Sequence, residues 1–390
     1  MSANSNPKKT LKVYCMRLIA RMIGKAEIPP SAVDSEQILR ILVIAPQHNL
    51  KDLLLATPVF RAVRQRYPSA HVSVLAQSDI APVLLHNAYL DDVLESAAGL
   101  TSPRALFALK ATRASFDLII VLNVGNHPVA ADLLAHFSKA SHVLGSEYPV
   151  FDGCPENFLY DLRAPYAAIS EHQVERYLDI VRHLAMDTTD FSEMIFLTQE
   201  EKNRAVEFLK EQKVLPRDFL VAIHLGSSLG EEIFDSSHYV EIAKFFSAKY
   251  NAKIVVSWSA SSEKIASEFF SGLPFKPIEI NAFSLRERAA VLFFCNIQLG
   301  EHSNSMHLAA SVGIPVIGVF EKFDPHRWKP IGKQIIAIKG AQSVATTTIE
   351  QVKDKAKKLL EFYPKTSRLR FDNLDISDSA VQPFLNISER

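Results

Sequence analysis

Leu299-Gly-Glu-His-Ser-Asn-Ser-Met-His-Leu-Ala-Ala310, entered from Ile297 and left through Pro315-Val-Ile-Gly-Val-Phe320, is the stretch on which the architecture turns. It reads as an apolar strand over Ile297–Leu299, a polar turn, a helix beginning at Met306 and His307, and a second apolar strand. A strand–helix–strand connection of this length makes the two strands parallel neighbours, because only antiparallel pairs close through a short hairpin. The same alternation extends outward. Upstream lie strands at Phe219–Leu225, Lys253–Trp258 and Pro277–Ile280, separated by helices at Ser237–Ala248, Ser261–Ser271 and Ser284–Phe294. Downstream come a strand at Ile335–Ile338 and a last helix at Thr347–Phe362.

Residues 38 onward carry a first copy of this theme: strands at Ile41–Ala45, Val72–Ala76, Leu118–Leu122 and His142–Gly145, with a helix over Leu53–Tyr67. A long helix, Glu171–Leu184, and a polar turn segment near Met186–Thr198 separate the copies. The division predicted is a segment 1–37, a first domain 38–195, a second domain 196–363 and a tail 364–390. The fold class is α/β, two Rossmann-like doubly wound parallel-sheet domains facing across a cleft. Such folds bind ligands outside the carboxyl ends of their strands. Neither half contains G-x-G-x-x-G or G-x-x-x-x-G-K-[ST], so dinucleotide and P-loop readings are weak.

Lys+Arg and Asp+Glu both number 43, so no overall basic field points to nucleic acid. Cys15, Cys154 and Cys295 lie too far apart for a zinc motif or a disulfide framework, which suits a reducing, cytoplasmic setting. No run approaches the roughly 20 apolar residues that span a bilayer, and no cleavable signal peptide is read.

The first 26 residues carry Lys8, Lys9, Lys12, Arg17, Arg21 and Lys25 and no acid. Leu11, Tyr14, Cys15, Leu18, Ile19 and Met22 fall on one face of a helix. An apolar face with cationic flanks over residues 7–25 describes a helix lying in an anionic membrane surface, peripheral on the inner face of the cytoplasmic membrane. The alternative is a helix packed on the protein's own surface. Pro29-Pro30 breaks the chain after it.

Four segments, in order, resemble the inverting, metal-independent heptosyltransferases (glycosyltransferase family 9) that build the inner core of lipopolysaccharide. They are Ile41-Leu-Val-Ile-Ala-Pro-Gln-His-Asn-Leu-Lys-Asp-Leu-Leu-Leu-Ala-Thr-Pro58; Val221-Ala-Ile-His-Leu-Gly-Ser-Ser228; Ser284-Leu-Arg-Glu followed by Leu299–Ala310; and Pro315–Phe320 with Asp324-Pro-His-Arg-Trp328. His172-Gln-Val-Glu-Arg-Tyr177 is similar to a family helix between the halves. The resemblance covers about residues 38–360. It implies a fold of GT-B type with 38–195 as the acceptor-side and 196–363 as the donor-side domain, a nucleotide-sugar donor, a lipid-linked saccharide acceptor of lipopolysaccharide type, a heptose-like sugar, and neither cofactor nor metal.

An inverting transfer needs a base on the acceptor hydroxyl and charge stabilisation for the departing nucleotide diphosphate. Asp52 is the catalytic candidate; it is equally an acid complementing a helix N-terminus. Gly226, Ser227 and Ser228 are the candidate phosphate loop or an ordinary strand-to-helix turn. Glu263 matches the family's ribose carboxylate or is a first-turn acid. His302, Ser303, Met306 and His307 occupy the donor-side motif, with His307 either donating to the diphosphate or structural. A metal site on His302 and His307 is disfavoured, because i, i+5 spacing does not share a helix face.

The sequence also departs from the family pattern. Lys51 stands for a glycine beside Asp52, and Glu232 for a basic residue after the phosphate loop. His302 replaces an aspartate, Asn304 a glycine, Ser305 a proline, and Glu321-Lys322-Phe323 replaces Gly-Pro-Thr. These changes favour a rival reading: a catalytically inactive member serving as a binding or assembly module.

Overall fold

In the computed structural model, residues 18–47, 49–96, 116–125, 128–149, 154, 156–166, 172–227, 234–340 and 345–362 are described. Ser228, Glu232, most of the basic segment and the tail 364–390 lie outside them.

Strands β1 (Arg40–Ile44), β2 (His71–Gln77), β3 (Asp92–Ser96), β4 (Leu118–Val121), β5 (His142–Ser146) and β6 (Leu162–Ala164) form one sheet. Its order is β3-β2-β1-β4-β5-β6, every neighbouring pair parallel. Strands β7 (Leu220–Leu225), β8 (Lys253–Trp258), β9 (Ile278–Glu279), β10 (Ile297–Glu301), β11 (Val316–Phe320) and β12 (Ile335–Lys339) repeat this as β12-β11-β10-β7-β8-β9, again all parallel. Each half therefore reverses its strand order once, at β1/β4 and at β7/β10. Strands covered on both faces are largely apolar, as in Leu-Val-Ala-Ile-His-Leu of β7, which is buried along its whole length with His224 its one polar residue.

The helices, in chain order, are α1 (Leu50–Leu55), α2 (Thr57–Arg66), α3 (Val129–Phe137), α4 (Gln173–Arg182), α5 (Gln199–Glu211), α6 (Ser236–Tyr250), α7 (Glu263–Gly272), α8 (Leu285–Leu292), α9 (Asn304–Ser311), α10 (Pro325–Trp328) and α11 (Ala345–Phe362). One buried apolar cluster fills the space between the sheets, taking Leu53 and Leu54 of α1, Leu178 of α4, Leu209 of α5 and Leu308 of α9. A second, with α6 and α11, backs the β7–β12 sheet. A third lies under α3 on the outer face of the β1–β6 sheet.

Several expectations are corrected. The helix read over Leu53–Tyr67 is two, α1 and α2, bent at Ala56. Pro58 has no N–H to continue the ladder, and the Leu54 carbonyl is taken by the Thr57 hydroxyl at 2.6 Å. The polar stretch Met186–Thr198 is irregular, as expected, and helix α5, absent from the sequence reading, follows it directly. Thr198 caps it and Glu201 returns the bond in a capping box. Strands β3 and β6 and helix α3 were not read at all, and β10 runs two residues past Leu299.

Candidate active site

The chain leaves the carboxyl end of β1, passes Asn49 and enters α1. The Asn49 side chain caps this helix, accepting from the Asp52 amide at 3.0 Å and donating through Nδ2 to Asp52 Oδ2 at 2.6 Å. Asp52 thus sits in the first turn of α1, where the helix dipole favours a carboxylate. At the carboxyl end of β10 the chain turns through His302 and Ser303 into α9. The tips of α1 and α9 meet: the Lys51 amide donates to Asn304 Oδ1 at 3.1 Å, and the helices pack together. The switch point of each sheet therefore presents its helix tip to the other.

Lys51 is buried, with its ammonium 3.2 Å from Asp52 Oδ1. The same ammonium lies 3.9 Å from the Trp328 ring centroid and 5.5 Å from that of Phe323. Both aromatics come from the second half, beside or on α10, which Asp324 caps. Arg327 stands near Trp328, its Nε buried without a partner. Burial lowers its pKa, and so does the charge of Arg176 on α4. The His172 side chain caps α4 through Nδ1, and its Nε2 bonds the Lys329 carbonyl at 2.8 Å, so the end of α10 is tied to the start of α4.

On the donor side, His302 is 3% exposed. Its ring centroid lies 4.3 Å from Phe323 and 4.9 Å from Phe320, and neither ring nitrogen has a partner. Burial, with lesser contributions from His307 and Lys51, pushes its pKa down to about 2, so the ring is neutral. His307 is fully buried and its Nδ1 lies 2.9 Å from Glu193 Oε1. Burial lowers His307 to about 3 and raises Glu193 well above the carboxylate range, so both partners are uncharged. Nδ1 is thereby taken up inside the protein, while Nε2 is buried without a partner. Met306 is buried beside it. Ser303, the residue before α9, makes no capping bond, and its hydroxyl is buried without a partner.

Gly226 follows β7 with φ +82°, a conformation that only glycine adopts freely. Its amide is taken up within the second half. It donates to the Tyr239 hydroxyl at 3.0 Å, which in turn donates to Glu301 Oε1 at 2.9 Å. Ser227 is buried, its carbonyl accepting from the Ser259 hydroxyl. Glu263 opens α7 and accepts from Trp258 Nε1 at 2.7 Å, which fits the first-turn acid. The structure therefore gathers Asp52, His302, Ser303, Met306 and His307 where α1 meets α9, and leaves Glu263 in its own surface contact. Glu193, Tyr239 and Glu301 were not foreseen. Arg176 lay within the quoted His172–Tyr177 segment, and its charge was the signal.

Two doubly wound halves meeting at their switch points, each with a helix tip in the seam, define the two-domain GT-B class of glycosyltransferase. Within it, the chain belongs to glycosyltransferase family 9 (heptosyltransferase), whose family model matches residues 107–358. It is 25% identical to lipopolysaccharide heptosyltransferase 3 of Escherichia coli (strain K12) over 329 residues, 80% of this chain and 91% of that one. Its fold matches a family 9 glycosyltransferase from Veillonella parvula with TM-score 0.71 at 20% identity, covering 83% of this chain and 97% of the other. It also matches E. coli ADP-heptose lipopolysaccharide heptosyltransferase II, with TM-score 0.68 at 19% identity over 83% and 99% of the two chains.

Proposed function

We propose that the protein moves a heptose-like sugar from a nucleotide-activated donor to a lipopolysaccharide-type saccharide, with inversion and without a metal, Asp52 serving as base. In this reaction the carboxylate takes the acceptor hydroxyl proton as that oxygen attacks the anomeric carbon. The bond from that carbon to the diphosphate breaks with its electron pair leaving on the phosphate oxygen. The observation that carries the reading is the meeting of α1 and α9. It sets an acid from one switch point beside a helix N-terminus at the other whose Ser303 hydroxyl has no internal partner. Such a terminus favours an anion. The E. coli relative, an ADP-heptose lipopolysaccharide heptosyltransferase, makes ADP-heptose the first donor to test.

A second reading, a non-catalytic binding or assembly module, is favoured by the Lys51 ammonium on Asp52 and by Phe323 lying against His302. A transfer assay separates them. The protein is incubated with ADP-heptose and a heptose-deficient inner-core acceptor, and the product is weighed by mass spectrometry. Transfer is expected, with Asp52→Asn lowering it by about 10²-fold or more while circular dichroism is unchanged. Equal rates remove Asp52 from the mechanism, and no transfer by the wild type supports the module.

A further inference from the structure

The described end of the basic N-terminal segment, residues 18–23, is helical and is fixed to the β6 edge of the first sheet. Ala20 and Ile23 turn inward against the apolar cluster under α3. Gly24 ends the helix, its amide donating to the Ala20 carbonyl at 2.8 Å; a Cβ there would lie 2.2 Å from that oxygen. The Lys25 amide then donates to the Phe158 carbonyl at 2.9 Å, and the Ile28 amide to the Asp161 carbonyl at 2.8 Å. Arg163 Nη2 donates to the Lys25 carbonyl at 2.9 Å, and the Lys25 ammonium pairs with Asp161 at 3.7 Å. The helix is therefore held in one orientation by its small inward face.

That orientation turns the larger apolar face outward. Met22 is 75% exposed, Leu18 50% and Ile19 39%. At about 100° per residue these three span about 100° of the helix, with exposed Arg21 at the margin of the arc. Leu11, Tyr14 and Cys15 continue the same arc in the sequence. A helix serving only as packing for its own domain would put Leu18 and Met22 inside and Ala20 outside. Here the assignment is reversed.

We propose that this outward face is a docking surface for an anionic lipid bilayer, the helix lying in the headgroup region with Leu18, Ile19 and Met22 inserted. Charge complementarity selects this occupant. The first 26 residues carry six cations and no acid, in a chain whose 43 cations and 43 acids balance only when these six are counted. Among the described residues no helix is long and apolar enough to cross a membrane, so the attachment is at the surface. The surface operates whether or not the protein transfers sugar, so its test stands apart from the transfer assay.

The test is sedimentation of the full chain with vesicles of phosphatidylcholine alone and with phosphatidylglycerol added. Binding is expected to the anionic vesicles only and to weaken as salt rises. Leu18→Asp with Met22→Asp should lower vesicle affinity about tenfold or more, because the variant loses two apolar side chains that leave water on insertion and sets two carboxylates against an anionic surface. Leu215→Asp, an exposed apolar position in the second half, should leave it unchanged. Both side chains replaced in the double variant are exposed, and thermal unfolding checks that its fold is kept. Equal binding to neutral vesicles, or binding unaffected by the double variant, overturns the proposal. So does a wild type that ignores vesicles and sediments as a dimer that the double variant dissolves, since the face then belongs to a second copy.

Discussion

Arg286→Ala should destabilise the protein by about 3–5 kcal/mol, the loss expected when one partner of a buried ion pair is removed. The size follows from where the guanidinium sits. Arg286 extends from α8 of the second half and is 7% exposed. Its Nε and Nη2 hold both oxygens of Glu201, at 2.5 and 2.8 Å. Nη1 donates to the Pro82, Val83 and Leu85 carbonyls of a turn in the first half, and Nη2 also to the Phe196 carbonyl. A surface pair would contribute about 0–1 kcal/mol; burial and four backbone acceptors place this one in the larger class. The same substitution loosens the first half from the second, because the Pro82, Val83 and Leu85 carbonyls lose the guanidinium that ties them to α8. Urea unfolding at neutral pH measures the loss, and a melting temperature lower by roughly 6–20 °C accompanies it. The dependence on pH gives an independent check. Burial alone would raise the Glu201 carboxyl, but Arg286 and the Thr198 amide and hydroxyl outweigh it and hold the pKa at about 2, against an ordinary 4.5. A carboxylate lowered in the folded state stabilises above its unfolded pKa and loses that contribution as pH falls toward the folded one. The gap between wild type and variant should therefore narrow between about pH 4.5 and 2. A loss below about 1 kcal/mol at neutral pH, or a gap that ignores acid, refutes the reasoning.

Other outcomes follow from single groups. Burial lowers His224 to about 3 and His302 to about 2, so both are neutral in the fold and take up protons on unfolding below the ordinary 6.5. Stability should fall as pH drops from about 6.5 toward 3, by up to about 1.4 kcal/mol per pH unit for each ring. Denaturation midpoints of the wild type and of His302→Phe read this, and the variant should lose less. Glu232→Lys should tighten ADP binding about tenfold or more in calorimetry, since it replaces an anion near the expected diphosphate by a cation. Equal affinities place Glu232 away from the nucleotide.

The halves of the fold that were legible are those in which burial writes itself into composition. Strand β7, with its six buried residues, is apolar but for His224, and β1 is apolar after Arg40. Helix α5 was not legible from periodicity. Only Ala205, Val206 and Leu209 are buried in it, and the usable signal was Thr198 with Glu201 three residues later. The short edge strand β6 offers three residues and no pattern. In the site, Asp52 was found because strand, loop and acid are close in sequence. Glu193 could not be: its partner His307 is 114 residues away, and an acid in an irregular segment announces nothing. The internal partner of the Gly226 amide was not legible for the same reason, since that acceptor, Tyr239, depends in turn on Glu301, 62 residues further on.

The departures from the family pattern also change meaning once they are placed in space. Read along the chain, Lys51 beside Asp52 in the first half and His302, Asn304 and Phe323 in the donor-side segments are departures at distant positions. In the structure they are one contact group: Lys51 bonds Asn304 through its backbone and lies near Phe323 through its ammonium, and Phe323 covers His302. An aspartate at 302 would have to be buried among these rings, where an isolated charge is costly unless it is paired. A neutral histidine stacks there instead, and its ring adds no charge against the ammonium of Lys51. Phe323, where the pattern has a threonine, supplies part of the aromatic surface that lies near that ammonium. Each replacement is thus the environment of another. Reverting one alone should harm packing, and the pocket is better understood as re-formed as a unit than as eroded residue by residue.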